Sequence, residues 1–286
     1  MGFELLFLEA VDSSIGRVDH DSFSQQALME MVIEGITNKE DICSDGDDPK
    51  DIEEWKSVTI EDGEVININW NVYGLEGSVH LGWLPSSVRI FTAINNGLTG
   101  TVDLASLPTS MERLDLENNA FTGSICLEKL PMRMEYLDVS DNMFCGSSKL
   151  ESLPKAMTHF YANTNQFSGS VDFTRLPAAL AVFFLTKNLL SGSVVLTQLP
   201  GRLEKLYLAR NKLSGSLNLT KLPSSLSFLH LNKNSFSGTV DLSQLPQGLR
   251  RLNLSDNELS GEAFISDAFF DRVKVDGTRI IKRHME

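Results

Sequence analysis

The stretch that decides the fold is Leu203-Glu204-Lys205-Leu206-Tyr207-Leu208-Ala209-Arg210-Asn211. The same spacing of three leucines and an asparagine recurs 23 residues later, at Leu226, Leu229, Leu231 and Asn234. Apolar residues two apart point to one side of an extended strand, so Leu206 and Leu208 share a side and Tyr207 faces the other. The spacing therefore predicts short strands with one buried side and one free side.

The 23-residue step is kept by three further markers. The asparagines run from Asn96 to Asn257 and the glycines from Gly77 to Gly261. The Leu-Pro pairs begin at Leu84, Leu107, Leu130, Leu153, Leu176, Leu199, Leu222 and Leu245. A repeat of this length indicates a stack of coils in which each coil buries its leucines against its neighbours. At ~4.8 Å per parallel strand pair, nine coils make a stack about 40 Å long.

The pattern L-x-x-L-x-L-x-x-N resembles the leucine-rich repeat family over residues 65 to about 261. The resemblance implies an α/β-type, right-handed solenoid that is predominantly β, with a parallel concave sheet and little helix outside the N-terminal cap. The repeats are similar to those of plant and protist proteins, whose far side carries short second strands. We place that strand at Gly169-Ser170-Val171-Asp172-Phe173. The asparagines are expected to bond turn backbone groups, and the glycines to permit a bend or a positive φ.

Three segments follow from the repeat: an N-terminal cap at 1–64, nine repeats at 65–261 and a C-terminal cap at 262–286. The first cap is predicted to contain a helix at about 22–35 and an acidic loop at 40–54. Ser22 and Gln25 form a capping-box pattern for that helix, and its apolar face is predicted to be Phe23, Ala27, Leu28, Met31 and Val32. Beyond Gly261, residues 263–270 are expected to form a short helix or turn and 273–275 a closing strand.

The segment from Trp55 resembles the N-terminal cap of plant-type repeat proteins, but two cysteines of that cap are replaced by Glu53 and Ile60. This substitution favours a reducing compartment. The longest apolar run, residues 178–185, is too short to span a membrane, and residues 1–8 lack the features of an export signal. The sequence therefore predicts an intracellular, cytoplasmic protein.

We predict no cofactor and no metal site. His159 and His230 lie three coils apart, and the acidic stretch at 45–49 lacks the ligand pattern of a calcium loop. The spacing of Cys126 and Cys145 does not favour a disulfide, and both are expected to be buried thiols. No catalytic pairing falls in register and no room is left for a catalytic domain, which predicts a non-enzyme.

The net charge of −13 is distributed unevenly along the chain, at −11 over 1–60, −7 over 61–170 and +5 over 171–286. Free positions of the later strands carry an aromatic tract, and a basic column precedes the asparagines. The candidate partner-binding residues are Tyr136, His159, Tyr161, Phe184, Tyr207, Phe228, His230, Lys187, Arg210 and Lys233. Aromatic side chains bordered by charges are typical of interaction sites, although strand propensity and cross-strand packing also favour aromatic residues here.

The sequence thus predicts a module that binds a protein or peptide, with acidic character in the bound segment. An accessory subunit that docks into a larger assembly through its caps or edge is the alternative. Recognition of a glycan or of single-stranded nucleic acid is disfavoured, the latter because the chain is acidic. Oligomeric state does not follow from the sequence.

Overall fold

The computed structural model describes residues 22–46, 48–147 and 149–285, which form a solenoid with a shared apolar core running through its coils. Residues 1–8, on which the export prediction rests, lie outside the described residues. Within that part of the chain, two sheets run along the solenoid, one of eleven strands and one of ten. The core lies between them, and the apolar positions of the repeat fill it.

The eleven-stranded sheet is the concave sheet. Its strands are Val58–Glu61, Glu64–Asn69, Ile90–Thr92, Arg113–Asp115, Tyr136–Asp138, His159–Tyr161, Val182–Phe184, Lys205–Tyr207, Phe228–His230, Arg251–Asn253 and Val273–Lys274. The first two pair antiparallel and the others pair parallel. In the regular coils each residue pairs with the residue 23 positions later in the chain, so that Leu206 lies opposite Leu229. The middle residue of each such strand is buried, while the first and third face the concave side.

The ten-stranded sheet, which we call the far sheet, consists of Glu76–Gly77, Gly97–Thr101, Ala120–Ser124, Met143–Gly146, Gln166–Gly169, Leu189–Gly192, Lys212–Gly215, Ser235–Gly238, Glu258–Ile265 and Arg279–His284. The strand predicted at residues 169–173 is therefore misplaced, because the strand of that coil ends at Gly169. Val171 and Phe173 are buried as the alternation implies. Short 3-10 turns lie before the first Leu-Pro pairs, at Leu81–Trp83, Leu104–Ser106, Leu127–Lys129 and Leu150–Ser152.

The asparagine column forms a hydrogen-bonded ladder, as the sequence predicts. The Nδ2 group of Asn188 donates to Ala162 O at 2.8 Å, in the preceding coil, and to Leu185 O at 3.2 Å, in its own coil. Its Oδ1 accepts from the backbone N–H of Phe167 at 3.0 Å, again in the preceding coil. Each such side chain therefore meets backbone groups that the stacked coils remove from water.

The recurring glycines take the positive φ that the sequence suggests. At Gly215 φ is 84°, and a Cβ there would lie 3.3 Å from Ser193 Cβ of the preceding coil. A side chain at this position would be strained by its backbone and crowded by its neighbour. The glycine column therefore permits the coils to approach closely at the far sheet.

Helix α1 spans Gln25–Ile33 and is shorter than the predicted 22–35. Ser24, not Ser22, is its N-cap, and the Ser24 hydroxyl accepts from the backbone N–H of Ala27 at 3.2 Å. The buried residues of α1 are Leu28, Met29, Val32 and Ile33. The predicted face was therefore wrong in part: Phe23 is exposed and Met31 is half-buried, while Met29 and Ile33 enter the core.

The N-terminal cap covers the first coil through backbone and side-chain bonds. Ile36 bridges Gly77 at the edge of the far sheet, and Gln25 Oε1 accepts from Val65 N at 2.7 Å. The region predicted as an acidic loop contains helix α2, Glu40–Cys43, and a 3-10 turn at Ile52–Glu54. The strand pair at 58–69 completes the edge of the concave sheet.

At the other end, helix α3 spans Asp267–Phe270 and the strand at Val273–Lys274 pairs with Arg251–Asn253. A last strand, Arg279–His284, pairs with Glu258–Ile265 and was not anticipated. Both sheets therefore continue past the last repeat.

All three cysteines are free. Cys43 is buried, but Cys126 and Cys145 are exposed, so the prediction of buried thiols for these two was wrong. Cys145 lies on the outward side of the far sheet, in the column that other coils fill with serine or threonine. None of the helices in the described part of the chain combines the length and apolarity needed to cross a bilayer.

A candidate binding face on the concave sheet

The aromatic tract lies on the concave sheet, where its side chains stack on one another. Tyr207 is at the centre: its ring lies 4.1 Å from that of Phe184 and 4.2 Å from that of His230, with interplanar angles of 3° and 4°. Tyr161 meets Phe184 edge-on at 5.1 Å. These four side chains are half-buried. We call Phe184, Tyr207 and His230 the aromatic stack.

The tract continues toward the N-terminal end through looser ring contacts. Tyr136 lies 5.4 Å from Tyr161 and 5.9 Å from His159. Phe228 belongs to the neighbouring column, where it lies between Lys205 and Arg251 in register. The structure therefore brings six of the seven predicted aromatic residues into one contiguous surface and sets Phe228 beside it.

Burial changes the titration of the polar rings. It raises the pKa of the Tyr207 hydroxyl, while the nearby Arg251 opposes this shift. It lowers the pKa of His230, and Arg251 lowers it further. Burial also lowers the pKa of His159. Near pH 7 both histidines are therefore neutral, and the stack presents uncharged rings.

The predicted basic residues lie in the turns that follow the strands, and their side chains are exposed. Lys187, Arg210 and Lys233 have φ values of 61°, 56° and 59°. This is the left-handed region, which disfavours a residue with a Cβ by about 1–2 kcal/mol. The same position in other coils holds Val72, Asn95, Asn118, Asp141, Thr164 and Asp256, all with positive φ. Asparagine and aspartate tolerate this backbone most readily among residues other than glycine.

Two further cations, Lys205 and Arg251, lie on the concave face and are not among the residues predicted from the sequence. Lys205 and Arg251 occupy the first position of their strands and flank Phe228. Their effects on the pKa values of His159 and His230 show that their charges reach the aromatic tract. The signal that could have identified them is the strand register, since first and third positions share the concave side.

The N-terminal half of the face is acidic. Asp115 and Asp138 lie opposite each other on adjacent strands, and they are only 2% and 6% exposed. Arg113 Nη2 lies 2.8 Å from Asp115 Oδ2, and its guanidinium stacks 3.7 Å from the centre of the Tyr136 ring. The concave face thus changes from buried acids in the earlier coils to aromatic rings flanked by exposed cations in the later coils.

The paired parallel sheets, the 23-residue coils and the asparagine ladder decide the architecture. The chain is a leucine-rich repeat solenoid. Solved structures of plant proteins share this fold. A plant ice-binding protein is 20% identical with a TM-score of 0.64, and the match covers 90% of this chain and 95% of that one.

Two leucine-rich repeat ectodomains of Arabidopsis thaliana receptor kinases are also similar. GASSHO1/SCHENGEN3, solved with CASPARIAN STRIP INTEGRITY FACTOR 2, is 22% identical with a TM-score of 0.60, and the match covers 90% of this chain and 36% of that one. HAESA, solved with the peptide hormone IDA and the co-receptor SERK1, is 27% identical with a TM-score of 0.59, and the match covers 72% and 36%. This solenoid spans about a third of each ectodomain. No family model and no curated protein matches the chain.

Proposed function

We propose that this leucine-rich repeat solenoid is a non-catalytic interaction module that binds a protein or peptide on its concave face. The observation that carries the proposal is the aromatic stack with Lys187, Arg210 and Lys233 exposed beside it. Stacked rings offer a rigid apolar area, and exposed cations beside them orient an acidic segment.

The basic residues Lys187, Arg210 and Lys233 are not required for folding, which supports a role for them in binding. Lys187, Arg210 and Lys233 occupy a left-handed position that asparagine fills in two earlier coils at lower conformational cost. Their backbone N–H groups bond to the next coil, as that of Lys187 does to Ala209 O at 2.9 Å, and any non-proline residue supplies that bond. Long cationic side chains in three successive coils therefore add charge that the fold does not require.

The charge change along the face gives a bound segment a direction. Its acidic residues are expected beside Lys187, Arg210 and Lys233, and its uncharged residues over the earlier coils. Complementary charges of this kind steer encounter and exclude the reversed orientation. Three coils at ~4.8 Å per strand make the cationic region about 10 Å long, the length of about three extended residues.

The test is a triple variant, Lys187→Asn, Arg210→Asn and Lys233→Asn, used as bait in affinity purification with mass spectrometry from the source cells. Asparagine tolerates the left-handed backbone, so the variant removes charge with little effect on folding. We expect it to lose partners that the wild-type protein recovers. A matched control, Arg175→Asn, Lys212→Asn and Lys221→Asn, removes three exposed charges from other segments and is expected to keep them.

A second arm examines the stack. Tyr207→Phe keeps the ring, whereas Tyr207→Ala removes both ring contacts, and both variants are compared in binding and in thermal stability. We expect alanine to weaken partner recovery and phenylalanine to retain most of it. Two results together would contradict the proposal: equal recovery of partners by the wild-type protein and the triple variant, and a loss of stability without a loss of binding in Tyr207→Ala. They would show that the aromatic tract has a structural role and would favour docking through the caps.

The intracellular location remains a prediction that rests on the missing cap cysteines and the free thiols. Fractionation of source cells, with protease protection of the intact cells, tests it. Recovery in the medium or on the outer cell surface would contradict it.

A second candidate function, ice binding through the far sheet, is favoured by its outward hydroxyl columns. The positions on either side of the repeating glycine are serine or threonine in most coils, for example Ser191 and Ser193 around Gly192. In the pairing register, Thr101 of one coil lies opposite Thr122 of the next. Inhibition of ice recrystallisation by the wild-type protein, lost in Ser193→Tyr and kept in Tyr207→Ala, is the result that this candidate requires.

A further inference from the structure

Three carboxylates converge at the acidic end of the concave face. Asp115 and Asp138 occupy the third position of adjacent strands, and Glu117 follows Asp115 by two residues. One oxygen from each lies within 4.8 Å of the others. This cluster lies outside the aromatic stack.

The charges in the cluster do not balance. Arg113 bonds Asp115 Oδ2, which leaves two net negative charges among these four side chains when all three carboxylates are ionised. The other bonds to Asp138 are uncharged: its Oδ1 accepts from Ser140 N at 2.8 Å, and its Oδ2 accepts from the Tyr136 hydroxyl at 3.4 Å.

An independent observation comes from Thr92, on the neighbouring strand. Thr92 lies opposite Asp115 in register and faces the same side of the sheet. It is 6% exposed, and its Oγ1 is buried with no hydrogen-bond partner among the described residues. A buried hydroxyl oxygen without a partner is rare in a folded protein. Here it belongs to the residue directly opposite Asp115 on the adjacent strand, on the side of the sheet that carries the carboxylates.

We propose that Asp115, Glu117 and Asp138, with Thr92 Oγ1, bind a divalent cation of the size of Ca²⁺. Carboxylate and hydroxyl oxygens suit a hard cation, and its two charges match the net charge of the cluster. Ca²⁺ takes oxygens at about 2.3–2.6 Å, so oxygens on opposite sides of it lie about 4.6–5.2 Å apart. One oxygen from each carboxylate lies within 4.8 Å of the others, so a single Ca²⁺ can contact all three. Mg²⁺ usually keeps several waters and is seldom held by protein oxygens alone, so a set of side-chain oxygens favours Ca²⁺.

The test is calorimetric titration of the full chain, stripped with chelator, with CaCl₂, MgCl₂ and KCl at matched ionic strength. We expect saturable binding of Ca²⁺ at one site and a rise in melting temperature, with a weaker response to Mg²⁺ and none to K⁺. Asp138→Asn is expected to weaken Ca²⁺ binding by at least about tenfold, since changes even to groups behind a ligand weaken metal binding by about 10–100-fold. Glu117→Gln is a second ligand variant in case the first fails to fold.

Two further variants separate this site from general charge screening. Glu135→Gln removes an exposed carboxylate close to the cluster in sequence, and it should bind Ca²⁺ as the wild-type protein does. Thr92→Val replaces the unpartnered hydroxyl with a methyl group of similar size, so it should weaken Ca²⁺ binding while the metal-free protein keeps or gains stability. No Ca²⁺ binding by the wild-type protein overturns the proposal, and so does an equal loss in Glu135→Gln and Asp138→Asn.

Discussion

Asp138→Asn is expected to remove a pH dependence of folding that runs opposite to ordinary acid denaturation. The pKa of Asp138 is raised from 3.8 to about 7, chiefly by burial. The unfolded chain keeps the ordinary value, so between about pH 4 and 7 the folded state holds a proton that the unfolded state has lost. The free energy of unfolding therefore rises from this group as the pH falls from 8 toward 5.

The magnitude follows from the separation of the two pKa values, about three pH units. One pH unit corresponds to about 1.4 kcal/mol, so the complete effect is about 4 kcal/mol. About two of those units lie between pH 7 and 5. Acidification from pH 7 to pH 5 therefore raises the free energy of unfolding by about 3 kcal/mol. Asparagine does not titrate, and its amide oxygen still accepts the bond from Ser140 N.

The assay is urea unfolding of the wild-type protein and Asp138→Asn at pH 5, 6, 7 and 8, with chelator and constant ionic strength. Other carboxylates titrate in both proteins, so the difference in unfolding free energy isolates Asp138. We expect that difference to move by about 3 kcal/mol in favour of the wild-type protein on acidification. A flat difference, or one that moves the other way, would refute the reasoning, because it would place the folded pKa at or below the ordinary value.

Three stability predictions follow from the scaffold and the stack. Asn165→Ala leaves Phe144 N–H without its side-chain partner and removes one of the two side-chain donors to Val139 C=O, and urea unfolding should show a loss of about 1–3 kcal/mol. Tyr207→Ala removes two ring stacks and should lower stability by about 1–3 kcal/mol in the same assay, whereas Tyr207→Phe should lie within about 0.5 kcal/mol of the wild-type protein; equal losses would contradict the stacking argument. Gly192→Ala at φ 81° should lower stability by about 1–2 kcal/mol, and an unchanged melting temperature would show that the backbone can relax there.

The repeat made the scaffold predictable because each coil meets the same physical demands. The positions of Leu206, Leu208 and Asn211 recur where every coil must bury an apolar side chain or bond its turn. The far strand was misplaced because alternation continues across the glycine, and Val171 and Phe173 are buried there without belonging to a strand. In this coil the pairing with the next coil ends at Gly169, and the residue pattern of a single coil does not show where pairing with a neighbouring coil ends.

The N-terminal helix shows a related limit. Ser22 and Ser24 both fit a cap, and two overlapping apolar faces are available in residues 23–33. Contact with the first coil decides between them, since the backbone carbonyl of Val32 accepts from His80 N at 3.0 Å.

The cysteines, by contrast, could have been placed from the repeat: Cys145 falls in a column of small polar residues that face outward.

For the binding face, the sequence identified the aromatic column but not its stacking. Whether Tyr207 stands free or lies against Phe184 and His230 depends on side-chain rotamers, which spacing does not contain. The burial of Asp115 and Asp138 was also not visible, because aspartate on a strand surface is usually hydrated.

The asparagine ladder gives the solenoid a direction. Each ladder side chain forms hydrogen bonds with backbone groups of the preceding coil. Asn211 accepts from Leu190 N and donates to Leu185 O, and both of these groups lie in the coil before that of Asn211. In the ladder, a backbone N–H group is therefore satisfied by the asparagine of the next coil. Trimming the chain from its C-terminal end leaves one such N–H group of the new last coil without its ladder partner, whereas trimming from the N-terminal end leaves the ladder N–H groups of all remaining coils bonded. During synthesis each coil therefore leaves the ribosome before the asparagine that bonds its ladder N–H group.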